Sequence, residues 1–292
     1  MSVLCTNIQG LRNNFTEFKY VLRIKKPVIV FLNETHVTED CDISDLYIKD
    51  YISINCLSHS KHTGGVCAFI HKSIKYTNLS VIKENIAWYL SFEIFIHKSP
   101  IVMAGIYLSA SENKNLVLES FEKWYENVAE NKTIVICGDF NVDMNSNTTH
   151  SRKLKSICDD NGLKMFVNTP TRVTQNSSTF IDLCLSNIVP NKLECSVSID
   201  NQISDHAIIE MNVMGKYETN TQKVRQISVW KEYNAMKLCD TLENYLFSWQ
   251  YVQNASVNEK MDWLIDILRK STNQFQTKKS IRVNDDFFDK EL

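Results

Sequence analysis

The sequence lacks paired cysteines. Its nine cysteines lie singly, and no two have the C-x-x-C spacing of a zinc ribbon or a thioredoxin-like redox site. Several stand inside apolar runs, as small buried side chains do: Cys5, Cys67, Cys137 and Cys184. An odd count without a pairing pattern favours a reducing compartment. We therefore expect neither a zinc ribbon nor a thioredoxin-like site.

Signals of export and membrane insertion are also lacking. The N-terminus has no charged segment followed by an apolar one, and no apolar run approaches the roughly 20 residues that a membrane helix needs. There is no internal repeat and no low-complexity tract. The sequence therefore predicts a soluble intracellular protein with no membrane partner.

An excess of charge of one sign is absent. Lys and Arg total 32 against 34 Asp and Glu, a formal net charge of −2, so no overall charge attracts nucleic acid. Any nucleic-acid function must depend on a local patch and a bound cation. With 43% hydrophobic and 10% aromatic residues, the 292-residue chain can bury a substantial core. It has room for one large domain, alone or with a small appendage.

Apolar runs of strand length dominate the first 215 residues. They are "SVLCTNI", "PVIVFLNE", "YISINC", "GGVCAFIH", "AWYLSFEIFI", "PIVMAGIYL", "TIVICGD", "STFIDLCLS", "ECSVSI" and "AIIEMNV". Helical spacing occurs within 13–26, near 113–130 and near 151–161. Because loops join most strands, the pattern predicts an α/β (α+β) fold rather than a doubly wound parallel sheet. We expect a four-layer sandwich of two mixed, mostly antiparallel sheets with helices outside.

The character of the chain changes near residue 216. A polar stretch, "KYETNTQKVRQ", precedes two amphipathic patterns, "WKEYNAMKLCDTLENYLFSW" and "SVNEKMDWLIDILRKSTNQF". The second pattern starts with Ser256 and Glu259 at capping-box spacing. Its apolar stripe consists of Met261, Leu264, Ile265 and Leu268. We therefore predict one domain over 1–215 and a linker with a helical connector over 216–292.

Polar side chains follow many of the predicted strands at the point where the strand ends. The stretch "VICGDFNVD" is typical: an apolar run ends at Gly138, and Asp139 and Asn141 come next. Ligand sites are common at strand ends because a rigid sheet fixes the position of its loops. The candidates of this kind are Asn7, Glu34, Tyr107, Asp139, Asn141, Thr179, Asp182, Asp205 and His206.

Each candidate also has an ordinary structural explanation. Asn7 and Asp139 fit turns after a strand. Glu34 fits a helix cap or a solvated surface, and Tyr107 fits a core aromatic with its hydroxyl at the surface. Asp182 lies between two apolar residues, so in a strand it would face solvent. A functional site is favoured only when all of these candidate residues are considered together.

Chemistry links the set to phosphate-ester cleavage. The oxygens of Asn7, Glu34 and Asp205 are hard ligands that suit Mg²⁺. A neutral His206 paired with the carboxylate of Asp182 could donate to the negative charge that develops at phosphorus.

The remaining candidates fit supporting roles in the same reaction. Asp139 would be free to take a proton from attacking water. Asn141 and Tyr107 could donate hydrogen bonds to the non-bridging phosphate oxygens.

In order and separation, these residues resemble the endonuclease/exonuclease/phosphatase superfamily. The specific signal is the pairing of Gly-Asp-Phe-Asn at 138–141 with Ser-Asp-His at 204–206. The stretches "NIQGLRNNFTEF", "VFLNETHV", "GGVCAFI" and "TPTRVTQNSSTFIDLCLSN" are most similar to the endonuclease of non-LTR (LINE-like) retrotransposons. The resemblance spans residues 3 to about 213.

The resemblance implies a DNase I-like fold and a metal-dependent endonuclease that nicks duplex DNA. Mg²⁺, with Mn²⁺ as a substitute, would be held by Asn7, Glu34 and Asp205. The implied catalytic residues are Asp139, Asn141, His206, Asp182 and Tyr107, and the implied substrate contacts are Thr179, Arg172 and Ser204. The nick would leave a 3′-hydroxyl that primes reverse transcription of the element's RNA. The domain would act as a monomer in the nucleus, where the target lies, or in the cytoplasm.

The sequence departs from this family at two points. Tyr107 is followed by Leu-Ser-Ala rather than Arg-Pro-Pro, so an arginine contact is not expected in that loop. No Tyr-x-Asp-Asp polymerase signature is present, and the tail resembles the connector that precedes a reverse transcriptase. We expect a truncated element, an excised domain or a host gene derived from one.

Two alternative functions use the same residues differently. The first is an abasic-site repair endonuclease or another phosphoesterase of the superfamily, because fold and motifs alone do not separate these activities. The second is a catalytically inactive relic that persists as a binding module. Lys61 and His62 are further candidate DNA contacts, although exposed basic residues are more often merely solvated.

Overall fold

A computed structural model describes residues 1–110, 113–129, 132–200, 202–219, 224–230, 235–246, 252–273 and 275–282. The chain divides into two units, Met1–Asn220 and Thr221–Leu292, and each is described by itself. Among the described residues, no helix is long and apolar enough to cross a lipid bilayer.

Two six-stranded sheets form the first unit. The strands of the first sheet are β1 Ser2–Asn7, β2 Ile29–Asn33, β3 Tyr51–Cys56, β4 Val66–His71, β13 Leu193–Ser198 and β14 Ile208–Val213. Those of the second are β5 Tyr76–Lys83, β6 Ala87–Ile96, β7 Ser99–Leu108, β8 Thr133–Asp139, β9 Lys164–Met165 and β12 Asp182–Ser186. The strand orders are β13-β14-β1-β2-β4-β3 and β5-β6-β7-β8-β12-β9. A separate short hairpin joins β10 Arg172–Val173 to β11 Ser178–Thr179.

Each sheet contains one parallel pair, β1 with β2 and β7 with β8, and its other described pairs are antiparallel. A parallel pair needs a crossover, and a helix supplies it in both cases. Helix α1, Phe15–Lys25, lies between β1 and β2, and helix α2, Lys114–Ala129, lies between β7 and β8. The predicted fold of mixed, mostly antiparallel sheets is therefore confirmed.

Alternation along the strands divides the core into layers. Val3, Cys5 and Phe31 belong to the cluster that also contains the second sheet and α2. Leu4 and Val30 point the other way and pack with α1 in a second cluster. The layers are thus α1, the first sheet, the second sheet, and α2 with α3 (Thr149–Asp160), as predicted.

Helix α3 starts two residues earlier than the sequence suggested. Thr148 forms a capping box with Ser151, in which its hydroxyl accepts a hydrogen bond from the Ser151 amide at 3.2 Å. The helix ends before Gly162, whose φ of +64° is left-handed.

Strand β5 was not predicted, because its sequence mixes polar and apolar residues without a clean period. The predicted strand over 178–186 is also divided in two, with Phe180 and Ile181 between β11 and β12.

The described residues of the second unit include two helices, α4 Ala235–Leu246 and α5 Val257–Asn273, and an antiparallel pair, β15 Val224–Trp230 with β16 Gln276–Arg282. The predicted capping box is confirmed: the Ser256 amide donates to Glu259 Oε2 at 2.8 Å. The expected linker was too long, since β15 begins inside it, and neither strand was predicted.

Candidate active site

The strand ends that carry the candidate residues meet at one edge of the sandwich. In the first sheet, β1 and β2 are parallel, so Asn7 and Asn33 are register partners at their ends, and Glu34 follows. In the second sheet, Asp139 at the end of β8 is the register partner of both Tyr107 and Asp182. Because β14 is antiparallel to β1, Asp205 and His206, which precede β14, lie at the same edge.

Asp139 is buried and held from two sides. Its Oδ2 accepts a hydrogen bond from Asn7 Nδ2 at 2.9 Å, and its Oδ1 accepts one from the Asn141 amide at 2.9 Å. Burial, together with the negative charge of Asp182, raises the pKa of Asp139 to about 7. The carboxyl group can therefore gain and lose a proton near neutral pH.

His206 and Asp182 form a pair that spans the two sheets. His206 Nδ1 lies 2.8 Å from Asp182 Oδ2, and the two side chains are 2% and 1% exposed. Burial by itself lowers the pKa of His206, but the hydrogen bond and charge of Asp182 outweigh it and raise the pKa to about 9. The sequence suggested a neutral imidazole, whereas here it is protonated at neutral pH.

The position of Asp182 differs from that of an ordinary strand acid. The side chain is buried rather than solvated, and its Oδ1 has no hydrogen-bond partner among the described residues. Thr171 fixes the backbone there, since its Oγ1 accepts hydrogen bonds from the amides of Ile181 and Asp182 at 3.2 and 2.9 Å. The break between β11 and β12 thus turns Asp182 into the site.

Glu34 is a more open carboxylate, 20% exposed, on a residue with a left-handed φ of +49°. Its Oε1 accepts a hydrogen bond from Asn7 Nδ2 at 3.0 Å, and its Oε2 lies 3.4 Å from His36 Nε2. Burial raises the pKa of Glu34, but hydrogen bonds from His36, Asn7 and Tyr107 outweigh it, so the net shift is downward. Glu34 is therefore ionised.

Asn7 donates to two acids at once. Its Nδ2 contacts both Glu34 and Asp139, while its Oδ1 accepts a hydrogen bond from the Gln9 amide at 3.1 Å. Exchanging oxygen and nitrogen would place an NH₂ group against the Gln9 amide, so the hydrogen bonds determine the orientation. The amide nitrogen faces the acids, which differs from the ligand role expected from sequence.

Asp205 is 26% exposed and has two donors from this chain. Arg172 Nε lies 2.7 Å from Oδ2, and Gln9 Nε2 lies 2.6 Å from Oδ1. His206 Nε2 is 3.8 Å from Oδ1. The acid expected to bind metal is thus paired with an arginine.

Ser204 links the loop before β14 to the end of β1. Its hydroxyl donates to the Asn7 carbonyl at 2.6 Å and accepts a hydrogen bond from the His206 amide at 3.1 Å. These two bonds use the hydroxyl inside the protein, although sequence suggested a substrate contact.

Tyr107 and Asn141 flank the acids. The Tyr107 hydroxyl contacts Glu34 and Thr63, and burial raises the pKa of Tyr107. Asn141 has a left-handed φ of +51°, and its Nδ2 donates to the Leu108 carbonyl at 2.8 Å. One carboxamide hydrogen of Asn141 is therefore left over for a ligand.

The remaining candidates divide into two groups. Arg172 and Thr179 are cross-strand partners in the β10–β11 hairpin, next to Asp205. Lys61 and His62 are exposed in another loop, where Lys61 pairs with Asp40 at 2.7 Å. That pairing favours the solvated interpretation of Lys61.

The donor set fits a divalent cation. Arg172 compensates Asp205 and His206 compensates Asp182, whereas Glu34 and Asp139 share the neutral amide of Asn7. In addition, Asp182 Oδ1 is buried without a hydrogen-bond partner among the described residues. Carboxylate oxygens are the ligands that Mg²⁺ and Mn²⁺ prefer.

A second grouping of ligand atoms lies deeper. One atom each of Asp139, Asp182 and His206 lies within 4.8 Å of the others, and all three residues are buried. Within this trio, the contact with Asp182 already occupies His206 Nδ1. An ion that keeps several waters is better served by the more open Glu34 and Asp205.

Sequence reasoning missed Gln9 and Asn33. Asn33 is fully buried and donates to the Ile106 carbonyl at 2.6 Å, which ties the end of β2 to β7 in the other sheet. An amide inside the apolar run "VFLNE" was the available signal. Gln9 gave no signal of its own.

Comparisons with known proteins bear on the family and the fold of the chain. Residues 101–210 match the model of a family described as "Endonuclease-reverse transcriptase". No curated protein matches the chain.

Several solved structures have the same fold. The Xenopus laevis APE2 catalytic domain matches with a TM-score of 0.59 and 18% identity, covering 76% of this chain and 94% of that one. An AP endonuclease from Archaeoglobus fulgidus matches at 0.59 and 17%, covering 73% and 99%. The endonuclease domain of TRAS1, a telomere-specific non-LTR retrotransposon, matches at 0.56 and 14%, covering 73% and 97%.

The chain therefore has the fold of the endonuclease/exonuclease/phosphatase superfamily, and the resemblance predicted from its motifs is confirmed. Residues 101–210 are similar to the "Endonuclease-reverse transcriptase" family, and the fold is similar to that of the TRAS1 endonuclease domain.

Proposed function

We propose that the protein is a divalent-cation-dependent nuclease that hydrolyses phosphodiester bonds in duplex DNA. The observation that carries the proposal is one edge of the sandwich, where a buried trio of Asp139, Asp182 and His206 lies beside the more open carboxylates of Glu34 and Asp205. Such an arrangement combines a proton acceptor, a buried cation and hard oxygen ligands at one edge of the sandwich.

The reaction assigned to these residues begins with water. Asp139, held by Asn7 and the Asn141 amide, takes a proton from the attacking water. His206, kept protonated by Asp182, stabilises the negative charge that develops at the phosphate. The free carboxamide hydrogen of Asn141 donates to a phosphate oxygen.

Glu34 and Asp205 are the residues that would hold Mg²⁺, with Mn²⁺ as a substitute. The bound ion supplies positive charge at the phosphate oxygens. In place of the ligand role expected from sequence, we assign Asn7 to orienting Glu34 and Asp139. Tyr107 supports Glu34 from the other side.

The biological role that we favour is target nicking for a non-LTR retrotransposon or a copy derived from one. The "Endonuclease-reverse transcriptase" family match and the likeness to the TRAS1 endonuclease domain support it. Residues 1–215 would be the endonuclease, and 216–292 the connector before a reverse transcriptase. The nick would leave a 3′-hydroxyl primer, with the element's RNA and polymerase as partners in the nucleus or cytoplasm.

The likeness to APE2 and to an archaeal AP endonuclease motivates a second candidate, abasic-site cleavage. The two roles make different demands on the same site, since a repair enzyme must prefer the damaged duplex.

Cleavage rates on three substrates separate the candidates: an intact duplex, the same duplex with one abasic site, and an inositol phosphate. Each is measured with Mg²⁺ and with EDTA. Retrotransposon-type nicking predicts Mg²⁺-dependent cutting of the intact duplex without a large preference for the abasic one. A strong abasic preference supports the second candidate, and no cleavage of either duplex contradicts both.

A further inference from the structure

Asp205, one of the two proposed cation ligands, is already occupied by groups of this chain. Arg172 Nε contacts one oxygen at 2.7 Å and Gln9 Nε2 contacts the other at 2.6 Å. A cation that uses Asp205 must therefore replace at least one of these donors.

Arg172 is the donor that can leave at low cost. Its side chain is 40% exposed, and it contacts Asp205 through Nε alone. An exposed ion pair of this kind contributes little to stability. The two terminal nitrogens of the guanidinium make no hydrogen bond within the described part of the chain.

Arg172 lies in the β10–β11 hairpin, where a phosphate of bound DNA would be an alternative partner for its guanidinium group. Its register partner across the hairpin is Thr179, and both are substrate contacts implied by the family resemblance of the sequence. A phosphate can accept two parallel hydrogen bonds from a guanidinium, which a single contact through Nε cannot match.

We propose that Arg172 is a resident counter-ion that covers Asp205 in the free protein and exchanges it for a DNA phosphate. Release of Asp205 then completes the cation site, so DNA and the divalent cation bind cooperatively. The coupling is reciprocal: each ligand strengthens the binding of the other by the same factor. This inference rests on the proposed function, because it needs a cation at Glu34 and Asp205.

Calorimetric titration of the full chain with Mg²⁺ tests the first half of the proposal. Arg172→Gln should bind Mg²⁺ about threefold to fivefold more tightly than the wild type, because the ion pair with Asp205 no longer has to be broken first. Gln9→Met removes the other donor without changing charge and should produce a smaller increase. Arg23→Gln, which removes a charge from the exposed face of α1, should leave the affinity unchanged.

The second half is tested with a duplex present, in an Asp139→Asn background that is expected not to cut it. The duplex should tighten Mg²⁺ binding when Arg172 is present and have little effect in Arg172→Gln. Thermal melting of each variant confirms that it is folded.

The outcomes separate this inference from the proposed function. Equal or weaker Mg²⁺ binding by Arg172→Gln, or an undiminished effect of the duplex, overturns the counter-ion role while nicking by the wild type persists. If the wild type neither binds Mg²⁺ nor nicks DNA, both proposals fail.

Discussion

His206 and Asp182 form one of the buried polar contacts between the two sheets. Asp182 starts β12 in the second sheet, and His206 precedes β14 in the first. At neutral pH the imidazole is charged, because its pKa is raised to about 9. The same proton that serves the proposed chemistry therefore stabilises the fold.

The pair makes stability depend on pH in a definite direction. The folded-state pKa of His206 lies above its ordinary value, so its contribution is fully present below pH 6.5 and is lost as pH rises through about 9. In EDTA, the difference in unfolding free energy between wild type and His206→Gln should shrink by a few kcal/mol between pH 6 and pH 10. Urea unfolding across this range measures it.

A matched control is His62→Gln, at an exposed position. Its difference from the wild type should stay flat over the same range. A His206→Gln difference that grows with pH would contradict the charged pair.

Gly138 is required by its surroundings. A Cβ atom there would lie 1.9 Å from the Ile106 carbonyl oxygen, at a φ of +153°, and backbone cannot move aside cheaply. Gly138→Ala should therefore cost more than about 3 kcal/mol of unfolding free energy.

Gly162→Ala is the control for Gly138→Ala. It has a left-handed φ of +64° but nothing within 4 Å of its Cβ position, so it should cost only about 1–2 kcal/mol. If urea unfolding gave equal losses of unfolding free energy for the two variants, the contact with Ile106 would not be what makes Gly138 necessary.

At the scale of single residues, motif spacing identified the acids and the pairing of His206 with Asp182, but not the other contacts of the site. Asp139, Asp182 and His206 do meet, yet the alternation of a strand suggested a solvated Asp182. Asn7 was expected to offer its oxygen, and the Gln9 amide takes that oxygen instead. Such details depend on bonds between distant segments, which no local pattern contains.

The segment from β10 to β12 shows how an element positions the site. Thr171 is fully buried, and its hydroxyl oxygen accepts the amides of Ile181 and Asp182, which interrupts what would otherwise be one strand. The predicted single strand over 178–186 was wrong here because a side chain replaced a neighbouring strand as the hydrogen-bond partner.

Replacing Thr171 should damage both fold and site. Thr171→Val keeps the shape but leaves two buried amides unpaired, at a cost of about 1–3 kcal/mol each, and loosens the backbone of Asp182. We expect a lower melting temperature and slower nicking at temperatures where the variant is folded.

The control is Thr77→Val, on the exposed strand β5, which should change stability by less than about 0.5 kcal/mol. A Thr171→Val variant as stable as this control would refute the assigned role of Thr171.

At the scale of the whole molecule, the apolar runs were sufficient to predict two packed sheets, because each run is long enough to be buried. They did not predict which strands pair in parallel, since pairing depends on the crossovers made by α1 and α2. The second unit was predicted less well: its helices have clear amphipathic periods, but β15 (VRQISVW) and β16 (QTKKSIR) have no strict alternation of polar and apolar residues.

The whole molecule carries almost no net charge, so its proposed activity depends on one acid-rich edge and on a cation there. Substitutions at this edge should therefore test the proposed nuclease activity directly, because no general basic surface is proposed to replace the function of these residues.

The most direct measurement is nicking of supercoiled plasmid by the purified protein in Mg²⁺. We predict conversion to open circles by the wild type and by Arg23→Gln, and loss of at least about a hundredfold in rate for Asp139→Asn and His206→Ala, as for removal of a general base or a preorganised cation. EDTA should abolish the activity of every form. Nicking at wild-type rate by folded Asp139→Asn and His206→Ala would contradict the account.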